Sequence, residues 1–346
     1  MARVYYVVPD PLARVLSPRL LFRAFRAKGI KGVLNGVFPK EKPIGGVKVG
    51  YQHCILLQNM GVDARILCMG RYRGNFFGYA VTTDSFSAIE GTLTEDDIVI
   101  MPEYLPKLLF RFSPARCLIF IQNWPLIYRH VNAHVGSEDL AGSYSEMGYE
   151  LVMSCTNLMA QMLTREPEDK VLVIPNYIDL EVFYPSPSKR RKARVLAMPR
   201  KNKQDLVAIV DKVSARMPLD IVYADGLTEL QLAEEYRKSD IYLATGYPEG
   251  FGLPPLEAMA CGCAVVGFTG KGAREFMIHE ETALVCDDGD TDTAAELLIR
   301  LLTDGELRER LRSTGTTIAN CYTQDKTAGQ LKVLCEKMGV RAKTKL

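Results

Sequence analysis

The sequence predicts an α/β protein of two similar halves, each a parallel sheet wrapped by helices, facing one another across a cleft. Two observations carry this. Short runs rich in Val, Ile and Leu alternate with longer stretches of helical spacing, the pattern of a parallel sheet covered by helices. The alternation breaks once, at VFYPSPSKRRKA (Val182–Ala193), where prolines, serines and a basic cluster suit an interdomain linker. At 346 residues the chain is long enough for two domains of ordinary size. The expected division is a first domain over 1–182, a linker at about 183–193, a second domain over 194–325 and a final helical segment over 326–346.

VYYVV (Val4–Val8) reads as a buried strand. GVKVGYQHCILLQNMG (Gly46–Gly61) has apolar residues at helical spacing and stops at a glycine. ARILCM (Ala64–Met69), DIVIM (Asp97–Met101), CLIFIQ (Cys117–Gln122), LVMSC (Leu151–Cys155) and KVLVIPN (Lys170–Asn176) are further strands. Beyond the linker, ARVLAM, LDIVYA, DIYLAT, CAVVGF and ALVCD are strands, with helices at Leu227–Lys238, Pro254–Cys261 and Thr291–Leu302. Open parallel sheets bind ligands beyond the carboxyl ends of their strands, so two facing sheets put both binding edges in one cleft.

Several classes are disfavoured. The net charge of +2 gives no argument for nucleic-acid binding. No apolar run is long enough for a membrane span. The start, MARVYYVVPDP, lacks the pattern of a signal peptide, and a cytoplasmic location is expected. The nine cysteines are scattered and without zinc-ligand spacing, which reads as free thiols. His130 and His134, spaced i and i+4, could meet on a helix, but no glutamate accompanies them as in a zinc protease. No metal site is expected. His53 falls in the helix after Gly46, as a structural residue or one near the cleft. The segment Ser17–Lys40 alternates Arg and Lys with Leu, Phe and Val. It suits an ordinary surface helix, an anionic membrane surface or a polyanionic acceptor.

The most informative stretch is GYPEGFGLPPLEAMACGCAVV (Gly246–Val266). DIYLAT ends as a strand at the cleft, Gly250 and Gly252 permit close ligand approach, Pro254 or Pro255 suits a first helical turn, and Gly262 stops the helix. Glu249 therefore sits in the loop and Glu257 about one turn into the helix. Free N–H groups at the helix start suit a phosphate, and ionised carboxylates accept hydrogen bonds from a hydroxyl-rich ligand. Together these suit a nucleotide-sugar. A plainer reading has Glu249 capping the helix and Glu257 in solvent. Gly45 and Gly46 read as a tight turn offering N–H groups to a diphosphate, or as an ordinary loop pair. Their spacing is not a dinucleotide fingerprint.

EGFGLPPLEAMACGCAVV resembles the signature of glycosyltransferase family four, whose fold is GT-B: Glu, seven residues, Glu, with Gly-Phe-Gly after the first. FTGKGAREF (Phe268–Phe276) resembles the family's Gly-x-Gly-x-x-Glu loop, with Gly270, Gly272 and Glu275. ALVCDDGDTDTAAELLIRLLTD, VLVIPNYIDLEVFYP and IGGVKVGYQHCILLQNMGVDARIL resemble further family segments, although Tyr177 stands where glycine is usual. The resemblance implies two Rossmann-like domains, the first binding an acceptor and the second a nucleoside-diphosphate sugar. It implies sugar transfer to an acceptor hydroxyl, with retention and without a metal or other cofactor. A UDP-sugar is the leading donor, and a saccharide, lipid-linked saccharide, small molecule or modified nucleic acid remain open as acceptors.

By the same resemblance, Glu249 binds the donor sugar's hydroxyls and Glu257 the ribose, while Gly250 and the backbone of Phe251, Gly252 and Leu253 line the sugar pocket. Arg200 and Lys203, with Lys201 as the rival, neutralise the departing diphosphate. Glu275, Gly45 and Gly46 contact substrate. Gln122 and Asn123 stand where many members carry a histidine. Their amides can orient a hydroxyl but cannot act as a base, which favours the leaving phosphate oxygen as acceptor of the proton. Thr327–Gly339 is expected to cross back to the first domain, and peripheral membrane contact is assigned to residues 17–40. A nucleotide-sugar epimerase, a phosphorylase and a non-catalytic sugar-nucleotide-binding protein are the alternatives.

Overall fold

The computed structural model describes residues 2–9, 45–70, 78–132, 136–186 and 193–340. The basic segment Ser17–Lys40, His134 and most of the linker lie outside the described residues.

The first sheet is built from β1 (Arg3–Val8), β2 (Asp63–Cys68), β3 (Thr83–Ser85), β4 (Ile98–Pro102) and β5 (Arg116–Ile121). After a small antiparallel hairpin of β6 (Arg129–Asn132) and β7 (Gly136–Asp139) it is completed by β8 (Leu151–Ser154) and β9 (Val171–Val173). Its spatial order is β3-β2-β1-β4-β5-β8-β9, with every pairing parallel. The second sheet contains β10 (Arg194–Ala197), β11 (Asp220–Tyr223), β12 (Ile241–Ala244), β13 (Ala264–Phe268) and β14 (Ala283–Cys286), in the order β11-β10-β12-β13-β14, again parallel throughout. β4, β8, β12 and β13 are buried along their whole length. Continuous burial is what a strand covered by helices on both faces requires, and it explains why these segments read as unbroken apolar runs.

The strand order reverses between β1 and β4 in the first sheet and between β10 and β12 in the second. At a reversal the connections leave toward opposite faces, and a crevice opens beyond the strand ends.

The helices are α1 (Gly45–Asn59), α2 (Phe86–Ile89), α3 (Asn157–Met162), α4 (Lys203–Ser214), α5 (Glu229–Lys238), α6 (Leu253–Ala260), α7 (Thr291–Thr303), α8 (Gly305–Ala319) and α9 (Gln324–Met338). Side-chain caps fix several starts. Thr228 and Gln231 form a reciprocal capping box, which is why α5 begins at Glu229 rather than at Leu227. Asp290, Asp304 and Thr323 accept backbone N–H groups at α7, α8 and α9, each cap contributing about 1 kcal/mol. α9 lies against α1. Thr327 donates its hydroxyl to the Pro175 carbonyl at 2.7 Å, and Arg116 of β5 donates to the Met338 carbonyl at 2.6 Å.

Two local expectations need correction. His130 lies in β6, not on a helix. Gly45 and Gly46 form the first turn of α1 rather than a turn ahead of it. Arg194, within the ARVLAM run read as a strand, opens β10, and its guanidinium lies 3.4 Å from Glu235.

His53 is wholly buried on α1, with Nδ1 3.0 Å from the Tyr6 hydroxyl and its ring 5.3 Å from that of Phe120. Burial lowers its pKa from 6.5 to about 3. The unfolded chain therefore takes up this proton first. The contribution to stability is complete above pH 6.5 and is lost as pH falls toward 3, at about 1.4 kcal/mol per pH unit. His53→Gln keeps an acceptor for Tyr6 but does not titrate. It should remove that part of the slope in urea unfolding between pH 6 and pH 4.

Candidate active site

The loops leaving β10 and β12 flank the crevice of the second sheet and are stitched together. Asn202 accepts the Tyr247 N–H on its side-chain oxygen at 3.0 Å, and the Tyr247 hydroxyl donates to Asp205 at 2.7 Å. The Lys201 ammonium lies 2.7 Å from Glu249 Oε1 and donates to the Pro248 carbonyl at 2.9 Å. Lys201, the rival in the sequence reading, is thus the lysine brought to Glu249. Lys203 is the exposed first residue of α4. Arg200 is exposed in the same loop and makes no ion pair among the described residues. The backbone of Glu249 is pinned to the loop after β13: its N–H donates to Gly270 at 3.0 Å, and its carbonyl accepts from Gly272 at 3.1 Å.

α6 opens at Leu253 behind Gly252, which has φ 90°. Pro254 and Pro255 follow at the second and third helical positions. They lack N–H groups, so this helix start offers fewer donors to a phosphate than the sequence reading assumed. Glu257 is not in solvent; it is 6% exposed. Burial pushes its carboxyl up to about 7, Lys48 pulls against that rise, and Glu229 adds to it.

The first domain presses directly on this loop. A Cβ placed on Gly250 would lie 1.7 Å from the Gln122 carbonyl oxygen, so only glycine allows the approach. The Gln122 amide donates to the Gly46 carbonyl at 3.2 Å, and a Cβ on Gly45 would lie 3.6 Å from Leu253. The Trp124 indole N–H donates to the Gly270 carbonyl at 2.9 Å, while the Lys271 ammonium sits 3.9 Å from the centre of the indole ring. Asn123 Oδ1 is buried without a hydrogen-bond partner among the described residues.

Glu275 is engaged by the first domain, while the contact expected of Phe251 is through its backbone. Glu275 Oε1 accepts the Leu158 N–H at 2.9 Å, at the start of α3 in the first domain. The Phe251 side chain packs at 5.7 Å against both Phe276 and Tyr322, leaving its backbone toward the loop; such aromatic pairs contribute about 0.5–1.5 kcal/mol each. The structure brings Gly250 to Gln122, Gln122 to Gly46 and Gly45 to Leu253, where the loops of the two domains meet beside Glu249.

Sequence reading missed Lys48, Trp124, Lys271 and Glu103. Glu103 directly follows β4, at the strand reversal of the first sheet, and is 5% exposed. Burial pushes its carboxyl up to about 7, against the pull of the N–H groups of Glu103 and Gln122. The available signal was an acid ending an apolar run, DIVIMPE. Among the described residues no cluster of three His, Cys, Asp or Glu is placed to hold a metal ion.

Comparison with known proteins gives three findings. Residues 221–317 match the family model described as Glycosyl transferases group 1. An 80-residue stretch, 23% of this chain, is 40% identical to N-acetyl-alpha-D-glucosaminyl L-malate synthase of Bacillus anthracis and covers 21% of it. Alpha-1,6-glucosyltransferase of Actinobacillus pleuropneumoniae serotype 7 is 27% identical over 244 residues, 65% of this chain and 69% of that one. The chain matches relatives of 32–40% identity over only 21–26% of their length. In structure, HepE of Anabaena in complex with UDP and glucose superposes with a TM-score of 0.67 over 97% of this chain and 100% of that one, at 12% identity. The fold is GT-B. That architecture puts the carboxyl edges of both sheets, and the residues above, on one cleft.

The unfolded Glu103 carboxyl ionises near 4.5 and the folded one near 7. Its contribution to stability is present below pH 4.5 and is lost as pH rises through 7. Glu103→Gln is therefore expected to stabilise the protein at pH 8 by up to about 3 kcal/mol, read by urea unfolding. Some pH dependence will persist, because Glu257 titrates in the same window. Gly250→Ala is expected to cost about 1–3 kcal/mol through forced backbone displacement and to increase the radius of gyration in solution scattering.

Proposed function

We propose that the chain transfers a sugar from a nucleoside-diphosphate sugar to an acceptor hydroxyl, as a family-four glycosyltransferase acting with retention and without a metal. The observation that carries this is the Lys201–Glu249 pair held at the carboxyl end of β12, at the second sheet's strand reversal, with buried Glu257 just beyond it on α6. In this reading Glu249 accepts hydrogen bonds from the donor sugar and Glu257 from the ribose. Arg200 and Lys201 meet the diphosphate, where preplaced cations stabilise the charge that grows on the leaving group. Gln122 and Asn123 orient the acceptor, and the leaving phosphate oxygen takes its proton.

The donor we propose is a UDP-sugar; the complex of HepE with UDP and glucose supports that choice. The acceptor is a hydroxyl-bearing molecule bound from the first domain. The proposal includes a cytoplasmic location, with residues 17–40 against an anionic acceptor or membrane surface. No described helix is long and apolar enough to cross a membrane.

A thermal-shift screen of UDP-, GDP-, ADP- and dTDP-sugars tests the donor. Stabilisation of about 2.7 kcal/mol is expected for the right compound at a hundred times its dissociation constant. Glu249→Ala and Arg200→Ala should each lower turnover by about 100-fold or more, with the melting temperature little changed. No stabilisation by any donor, or full turnover in both variants, rejects the reading.

A further inference from the structure

Lys48 belongs to α1 of the first domain, yet its ammonium ends among carboxylates of the second. Nζ lies 2.6 Å from Glu229 Oε1 and 3.7 Å from Glu257 Oε1. Glu229 opens α5 and Glu257 lies on α6, so one cation ties α1 to two helices across the cleft. Lys48 is 8% exposed, and its ammonium also lies 5.6 Å from the centre of the Phe183 ring. A buried ammonium alone tends to lose its proton, and a buried carboxyl alone tends to keep one. Each group here supplies the condition for the other's charge.

We propose that Lys48 is a positioning residue for the donor: it keeps the Glu257 carboxylate ionised and aimed at the ribose hydroxyls, and it can do so only while the two domains are together. The inference rests on the reading that Glu257 meets the donor ribose. It adds that the donor pocket of the second domain is completed by a charge from the first. Affinity for the donor is then tied both to pH and to domain closure.

The ionisable groups near enough to feel the Glu257 charge are Lys48 from α1, Glu229 and Tyr236 from α5, Tyr242 from β12, Cys261 at the end of α6, and Tyr79 from the loop before β3. Burial pushes the tyrosines and the cysteine upward and keeps them neutral around pH 7. Burial also works against the Lys48 ammonium, but Glu257 and Glu229 outweigh it and hold that pKa above its ordinary value. The charges that set the Glu257 titration are therefore Lys48, which lowers it, and Glu229, which raises it. The two neighbours have opposite signs, so removing each should move the titration in opposite directions.

The test measures the dissociation constant of UDP-glucose by calorimetry from pH 5.5 to 9, with the full chain. Its diphosphate is esterified at both ends and lacks the terminal phosphate ionisation near pH 6. For the wild type, affinity should fall as pH drops through about 7. Lys48→Gln should weaken binding about tenfold at pH 7, move the midpoint up by about one unit or more, and recover affinity toward pH 9. Lys48→Arg should restore the wild-type midpoint. Glu229→Gln, a change at a half-buried site, should move the midpoint down. If Lys48→Gln does not fold, the direction of the Glu229→Gln shift decides alone. UDP-glucose binding with unmoved midpoints in these variants overturns the inference and leaves the donor reading standing. Failure of UDP-, GDP-, ADP- and dTDP-sugars alike to bind the wild type at any pH overturns the donor reading, and this inference with it.

Discussion

The structure depends on how closely three loops approach one another at the cleft. The loop after β5 touches the loop after β12 at Gly250, and that loop touches the one after β13, where a Cβ on Gly272 would lie 2.2 Å from the Gly250 carbonyl carbon. Backbone packed this tightly leaves no room for side chains, and it fixes the loop that carries Glu249 from both sides. The Trp124–Gly270 hydrogen bond and the Lys271–Trp124 contact extend the same seam. Lys271 takes φ 69° with ψ −45°, a sparsely populated conformation costing a non-glycine residue roughly 1–3 kcal/mol. The cation–π contact it makes contributes about 0.5–2 kcal/mol, of the same order as that strain.

Much of the fold was legible because the physics was local and repeated. β4, β8, β12 and β13 are buried on both faces, so their apolar runs were unbroken and could be read directly. The second-sheet half of the site was legible for a different reason. Gly250, Gly252 and the two glutamates lie within nine residues of one another, and each residue type has a narrow structural use. What could not be read is what depends on the other domain. Lys48 is the single lysine of α1 and reads as an ordinary surface charge until α5 and α6 are brought to it. Trp124 and Lys271 are separated by most of the chain length that forms the second sheet. Glu275 fits a ligand-contact pattern in sequence, but its carboxylate is engaged by the start of α3. Lys201 and Lys203 are parted by the start of α4. With Asn202 at φ 50° the chain turns just ahead of the helix, which leaves Lys201 in the loop beside Glu249 and Lys203 on the helix surface.

Glu249 and Glu257 live in different electrostatic surroundings. The Lys201 and Glu249 side chains are 38% and 32% exposed. A pair so open to water contributes about 0–1 kcal/mol, so its members can exchange partners readily. In the proposed reaction this is useful. A diphosphate arriving beside Lys201 competes for the ammonium, and Glu249 is released to the sugar hydroxyls at little cost. Glu257 is the opposite case. It shares one buried cation with Glu229, and breaking a buried pair by removing one partner costs about 3–5 kcal/mol.

That asymmetry bears on how the cleft can work. Two carboxylates around one ammonium leave an excess negative charge in a dry place, and Glu229, the more exposed of the two, can shed part of its share to water. Glu257 cannot. Hydroxyl donors are the remaining way to stabilise its charge, and a ribose edge supplies two without displacing Lys48. Opening the domains would instead withdraw Lys48 and leave Glu257 to take up a proton near neutral pH. On the proposal that Glu257 meets the ribose, closure and the charged state of Glu257 are a single equilibrium, and a ligand that favours one favours the other.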